Sequence, residues 1–364
     1  MNSNPSEPAL RTRWYTQLAF ALAAFLGVRP SREVDYRSYD ERPLSSETPR
    51  TLADELVIRL SALDWLFIGY LLTLLARVAV GDRGPHGLAM GYLGLDLTIF
   101  LGILWLTRGG VIASPALSGL VYRLGALLPL LTSFFQLQYI LPAASGPAVD
   151  ADVYAFDLRV FGAEPSEAWD RFVSPRTTEW FSFFYYGYFY LVAVHVLPLL
   201  LFGRDSARMR RFSFGFVWLY CVGHVVYTFV PAYGPHAFLA SHFHHVLQGG
   251  TWWPLVQKTV ASVDGSVRTD VFPSLHTAGP SFLALFAFEH RKSGIFRWTW
   301  LPTALSATQI ILATMFLRWH YAVDIFAGLL LAVSGIYVSR AALWWDSARE
   351  RAGGPPVWPA TPFR

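Results

Sequence analysis

Eight windows of roughly 20 mostly apolar residues, the length a helix needs to cross the hydrocarbon core of a bilayer, constrain this chain more than any other feature. They run over 62–80, 88–106, 117–141, 180–202, 212–231, 273–289, 299–317 and 322–341. Inside a bilayer only helices and closed barrels satisfy every backbone polar group, and runs this long and evenly apolar predict helices. The expected fold class is therefore all-α, a polytopic membrane bundle of about eight transmembrane helices. Charge usage agrees: 15% of residues are charged, against about 25% in soluble domains. Aromatics make up 16%, which suits anchoring at two lipid–water interfaces. The lone cysteine, Cys221, lies in an apolar run. It permits neither an internal disulfide nor a Cys-based metal site, and reads as a small packing residue.

Basic residues orient the spans. Arg204, Arg208, Arg210 and Arg211 follow the fourth window, Arg291, Lys292 and Arg297 follow the sixth, and Arg340, Arg349 and Arg351 lie at the end of the eighth and in the tail after it. All fall on one side if each window crosses once. The long loops 142–179 and 232–271 then share the other side, the first with seven acids (Asp150, Asp152, Asp157, Glu164, Glu167, Asp170, Glu179) against three Arg. Both termini are expected in the cytoplasm and the two long loops outside, in a plasma or bacterial inner membrane. The net charge of +4 is small and confined to loops, so it speaks for topology and not for nucleic-acid binding. The shorter apolar run 14–28, after Arg11 and Arg13, lacks a convincing cleavage site and is expected to lie on the membrane surface. The division expected is a cytoplasmic segment over 1–61, two accessory spans over 62–114, a catalytic membrane domain over 115–341 and a cytoplasmic tail over 342–364.

Two short stretches carry chemistry. Phe272-Pro273-Ser274-Leu275-His276 opens the sixth window. Pro and Ser favour a helix start there. The exposed N–H groups of such a start attract anions, with His276 in the same turn. Arg318-Trp319-His320-Tyr321-Ala322-Val323-Asp324 opens the eighth. His320 and Asp324, four apart, share a helical face. A carboxylate in an apolar span needs a partner, and paired with His320 it would fix the imidazole tautomer and leave the other nitrogen able to attack. Arg318 is placed to bind phosphate oxygens. Taken singly, each stretch could be an ordinary helix start or a structural ion pair.

Together, Pro-Ser-Leu-His followed some 40 residues later by Arg-x-His-Tyr-x-x-Asp resembles the type 2 phosphatidic acid phosphatase superfamily. It is most similar to the inositol phosphorylceramide synthase-like (inositolphosphotransferase) branch. That branch shares Leu275 before the histidine, the run TMFLRWHYAVDIFAG, and a stretch like that over 157–190. The resemblance spans roughly 125–340 and implies a six-helix phosphatase-like core. It further implies His320 as nucleophile through a phospho-histidine, Asp324 as its orienter and His276 as general acid. It implies a lipid phosphate or phospholipid donor, an alcohol acceptor or water, and no metal or cofactor. Two clamps of the ordinary phosphatases are missing: TFVPAYGPHAF holds no Lys or Arg, and Thr314 stands where an Arg would precede the histidine. Tyr233, His236, Arg318, Arg268 and the backbone at Ser274 are the remaining candidates for binding the phosphate.

Other polar residues read as structural. His242, His244 and His245 have no carboxylate or Cys at ligand spacing nearby in sequence, which argues for a loop cluster and against a metal site. His195 and His224 lie mid-span as packing residues. Asp96 and Arg123 could pair between spans. The competing function is a transporter in which buried His and Asp relay protons. Against it, the charged groups gather at one membrane face.

Overall fold

Serine at the edge of an apolar run starts many of the helices. The computed structural model describes residues 52–81, 83–264 and 269–359. Its helices are α1 (Leu52–Arg59), α2 (Ala62–Val80), α3 (His86–Arg108), α4 (Pro115–Gly125), α5 (Leu128–Ala144), α6 (Asp150–Phe161), α7 (Pro165–Ala168) and α8 (Pro175–Phe202). They continue as α9 (Ala207–Tyr227), α10 (Pro235–Phe238), α11 (Trp252–Asp264), α12 (Leu275–Glu289), α13 (Phe296–Phe316) and α14 (Ala322–Arg351). Ser61 caps α2, accepting from the Asp64 N–H while the Asp64 carboxylate accepts from the Ser61 N–H. Ser174, Ser206 and Ser274 cap α8, α9 and α12, each accepting the N–H three residues on, and of these only the Ser174 cap is reciprocal, through Thr177. Each satisfies an end donor that the helix itself cannot. Among the described residues no strand forms, only an isolated parallel bridge between Ala232 and Asp270.

The all-α, polytopic architecture is as expected. Among the described residues, five helical stretches are long and apolar enough to cross a membrane: Ala62–Val80, His86–Arg108, Pro115–Ala144, Pro175–Phe202 and Ala322–Arg351. The other expected spans are present as helices α9, α12 and α13 packed among these. α9 carries Arg208, Arg210 and Arg211 in its first turns, and α12 is only 15 residues long. The single window 117–141 divides into α4 and α5. Pro129 has no N–H to offer the Gly125 carbonyl, so the helix breaks there.

The last helix runs ten residues past its expected end at 341. Asp346 accepts the Ala62 N–H at 3.0 Å and Arg349 donates to the Ile58 carbonyl at 2.9 Å, tying this extension to α1 and α2. Beyond it the chain returns to α3, where Arg108 donates to the Pro356 and Val357 carbonyls. The polar residues of α2 and α3 are structural: Asp64 and Arg108 form a buried ion pair at 3.0 Å. Asp96 and Arg123 do not pair. Asp96 accepts from Thr132, and Arg123 donates to the carbonyls at Leu200 and Gly203 that end α8. His195 and His224 are packing residues bonded to the Leu191 carbonyl and the Tyr70 hydroxyl. The run 14–28 lies outside the described residues.

Two glycines on α14 set its distance from its neighbours. A Cβ on Gly335 would meet Leu219 at 2.9 Å and the Gly215 carbonyl oxygen at 3.1 Å, so α14 and α9 cross nearly backbone to backbone. A Cβ on Gly328 would stand 2.6 Å from the Ser274 carbonyl oxygen. This second contact locks the start of α14 against the start of α12, where the Ser274 N–H donates to the Asp324 carbonyl at 3.1 Å.

Candidate active site

The starts of α12 and α14 meet at one end of the bundle because α13 runs back between them. His276 occupies the first turn of α12, behind the Ser274 cap. Its ring lies between two tyrosines of α8, nearly parallel to Tyr185 at 4.6 Å and tilted against Tyr188 at 4.3 Å. The Tyr188 hydroxyl is held in turn by Tyr220 of α9 at 2.6 Å. His276 Nε2 is buried with no hydrogen-bond partner among the described residues.

His320 reaches the same place through a tight corner. α13 ends by folding back on itself, with the Thr314 carbonyl accepting both the Trp319 N–H at 2.9 Å and the His320 N–H at 3.3 Å. Arg318 takes φ +68° to make that corner. His320 Nδ1 then faces Asp324 Oδ2 at 3.3 Å, and the same oxygen accepts the Tyr321 N–H at 2.9 Å. The imidazole contact is long for a charge-assisted bond, as catalytic hydrogen bonds often are before substrate tightens them. Asp324 is fully buried and its Oδ1 has no partner among the described residues. The rings of His276 and His320 lie 6.3 Å apart, centre to centre, at 49°.

Both histidines line a cavity of about 970 Å³ whose wall is mainly aromatic. Tyr233, His236, Gln257, Thr259, Asp270 and Trp319 add polar groups to its lining. Burial lowers the pKa of His320 to about 4, although the Asp270 charge and the Val271 carbonyl work the other way. Burial likewise lowers His236 to about 4, opposed by Asp150 and reinforced by His320. Both imidazoles are therefore uncharged at neutral pH, the state a nitrogen nucleophile requires.

The other candidates from the sequence divide. Tyr233 and His236 stand on the cavity wall, with the His236 ring 4.7 Å from Trp319. The Ser274 hydroxyl is buried in its cap, accepting the Thr277 N–H. Arg318 is not on the wall of the histidine cavity. It lines a neighbouring cavity of about 390 Å³, where it donates to Asp170 Oδ1 at 2.7 Å and the His245 carbonyl at 2.6 Å and lies over Phe243. Burial lowers the Arg318 pKa, and Asp170 opposes the shift. Arg268 lies outside the described residues.

The acids of the long connection between α5 and α8 were invisible as site residues in the sequence, where they register only as a charge count. Asp150 accepts the N–H groups of Tyr233 and Gly234 and the Tyr321 hydroxyl. Asp157 accepts the Ala322 N–H at 2.6 Å and the Val323 N–H at 3.0 Å. Glu179 accepts three successive N–H groups, Thr251 to Trp253, at the start of α11. Burial works against the Asp170 charge, but His245, the His244 N–H and Arg318 outweigh it and lower its pKa. The histidine group also finds carboxylates after all, supplied from this distant loop: His242 bonds Glu167 and His245 bonds Asp170 at 2.8 Å. Among the described residues no group of three or more such side chains is arranged to hold a metal ion.

A family model described as the PAP2 superfamily matches residues 153–338, just over half of the chain. No curated protein and no solved structure matches.

Proposed function

The chain belongs to the PAP2 superfamily, and from that premise we propose that it is a membrane enzyme transferring the phosphoryl group of a lipid phosphate ester through His320. The observation that carries this reading is the pair of imidazoles 6.3 Å apart on one cavity, with Asp324 behind the second. In the first half-reaction the His320 nitrogen not held by Asp324 attacks phosphorus. The P–N bond forms, the ester P–O bond breaks, and His276 gives a proton to the departing oxygen. Asp324 holds the ring and balances the charge that develops on it. In the second half-reaction an incoming hydroxyl attacks phosphorus, the P–N bond breaks, and His276 takes the hydroxyl proton. Water as acceptor makes a phosphatase and an alcohol makes a transferase.

A bilayer substrate is supported by the aromatic wall of the cavity and its place at the end of an apolar bundle. The similarity around Leu275 and His320 supports the transferase of the inositol phosphorylceramide synthase-like branch as the finer form of the proposal. Basic loops at the opposite end support cytoplasmic termini and a site opening on the extracytoplasmic face. Tyr233 and His236 are the proposed phosphate contacts from the wall. Purified protein given labelled phosphatidic acid, with and without an alcohol acceptor, tests this. Free phosphate marks hydrolysis, and a new phosphate monoester of the added alcohol marks transfer. Undiminished turnover in His320→Ala would refute the nucleophile.

A further inference from the structure

We propose that Asp157, backed by Glu164, is a positioning residue for phosphoryl transfer: it clamps the first turn of α14 and so sets His320 and Asp324 against His276. The inference rests on the reading of His320 as nucleophile. Three consecutive backbone donors open α14, and all three are taken by carboxylates. Tyr321 N–H goes to Asp324, while Ala322 and Val323 N–H go to the two oxygens of Asp157. These residues lie directly between His320 and Asp324, so any shift in the clamp moves both. Asp157 is fully buried and does not line the cavity, so it acts through α14 and not on substrate. A helix start that would otherwise attract the phosphate is closed by a group the protein supplies itself.

Glu164 stands behind the clamp, fully buried, with one oxygen accepting the N–H and hydroxyl of Ser166. Burial raises its pKa; the Ser166 bonds oppose the rise and Asp157 adds to it. Burial also raises Asp157, offset by Glu164 and by the Ala322 and Val323 N–H groups. The titratable groups interacting with the pair are Tyr154 on α6 and Tyr321 at the corner, both beside Glu164, and Asp324 on α14, beside Asp157. None of these is a cation, and Glu164 Oε2 is buried with no hydrogen-bond partner among the described residues, so a proton on that carboxyl is what lets two buried acids lie together. The sign follows from the raised pKa. The proton is held at neutral pH and lost as pH rises through that value, and two adjacent buried charges then loosen the clamp.

The test uses the full-length protein in mixed micelles with phosphatidic acid, measuring kcat, KM and thermal stability across neutral to alkaline pH. Asp157→Asn is expected to lower kcat about 10- to 100-fold, the scale of a sub-ångström misplacement, with KM within about twofold. Glu164→Gln keeps a hydrogen bond but cannot lose a proton, so its profile should lack the alkaline fall shown by the unaltered protein. Should Asp157→Asn fail to fold, the Glu164→Gln profile decides. Wild-type kcat in Asp157→Asn, or an alkaline fall unchanged in Glu164→Gln, overturns the proposal if His320→Ala is inactive in parallel. An active His320→Ala would instead bring down the reading of the site.

Discussion

Adding one methyl group at Gly328, which touches no substrate, should disable the site. The Cβ of an alanine there would lie 2.6 Å from the Ser274 carbonyl oxygen and 2.9 Å from Thr277 Cβ. Ordinary contact begins at 3.4 Å, so α14 must withdraw from α12 by about 0.8 Å (3.4 − 2.6) against tightly packed backbone. The same movement stretches the 3.1 Å bond from the Ser274 N–H to the Asp324 carbonyl to about 3.9 Å, beyond hydrogen-bonding range. His320 and Asp324 move with α14 while His276 stays with α12. Overpacking of this kind costs about 1–3 kcal/mol of stability, and a misplacement near 1 Å costs about 100-fold in rate. Gly328→Ala should therefore stay folded in membranes but lose roughly two orders of magnitude in kcat for phosphate release from phosphatidic acid. Gly94→Ala on α3, where a Cβ meets nothing within 4 Å, is the matched control. If Gly328→Ala turns over as fast as Gly94→Ala, the idea that this helix contact sets the histidine geometry is wrong.

Asp324→Asn removes the charge behind the imidazole while keeping its volume, and kcat should fall about 100- to 1,000-fold from the lost charged hydrogen bond and the wrong tautomer; a fall in thermal stability with kcat intact would exclude the orienting role. With its pKa lowered to about 4 by burial, His320 stays uncharged down to that pH. The acid limb it contributes to kcat/KM should lie near 4 rather than 6.5. The folded protein refuses a proton that the unfolded chain accepts below about 6.5, so His320 also costs stability as pH falls through that window. Arg318→Ala leaves the Asp170 carboxylate buried without its main cation, which typically costs about 3–5 kcal/mol. Arg318→Ala/Asp170→Asn should recover part of the thermal stability, and strict additivity of the two changes would show that the pair is not coupled.

The helices were legible because their causes are local. Apolar runs, Ser caps and Pro breaks act within a few residues, so α2, α3, α8 and α13 fall within a few residues of their expected bounds. The break between α4 and α5 was equally local, since Pro129 announces it, but the surrounding apolarity masked it. The pairing of His320 with Asp324 was legible from their spacing, but not as one helix face: His320 precedes the Tyr321 cap of α14 and meets Asp324 from the corner, and the motif order brought His276 to the same cavity. Arg318 was harder to assign. A guanidinium beside a catalytic histidine suggests phosphate, whereas the partner it has, Asp170, lies 148 residues away, where no pattern within either segment points to the other.

The acidic connection shows why such partners escape a reading by charge. Counted as seven negative charges, it argues only for a side of the membrane. In the structure three of the seven carboxylates go one by one to distant backbone ends: Asp150 to Tyr233 and Gly234, Asp157 to Ala322 and Val323, and Glu179, already on α8, to Thr251 through Trp253. Each of those ends presents N–H groups that no helix bond can satisfy and that are costly to bury unpaired. The loops above the bundle also bury small apolar clusters, Val153 with Ala232, Leu239, Val271 and Tyr321, and Trp253 with Val256 and Leu317, and apolar contact gives order without direction. Carboxylates reaching into helix starts supply that order with direction, because each accepts two or more donors at set angles. These acids thereby join α8, α11, the segment at Tyr233 and α14 into one frame around the cavity, so neutralising them should disturb the site before it disturbs the bundle.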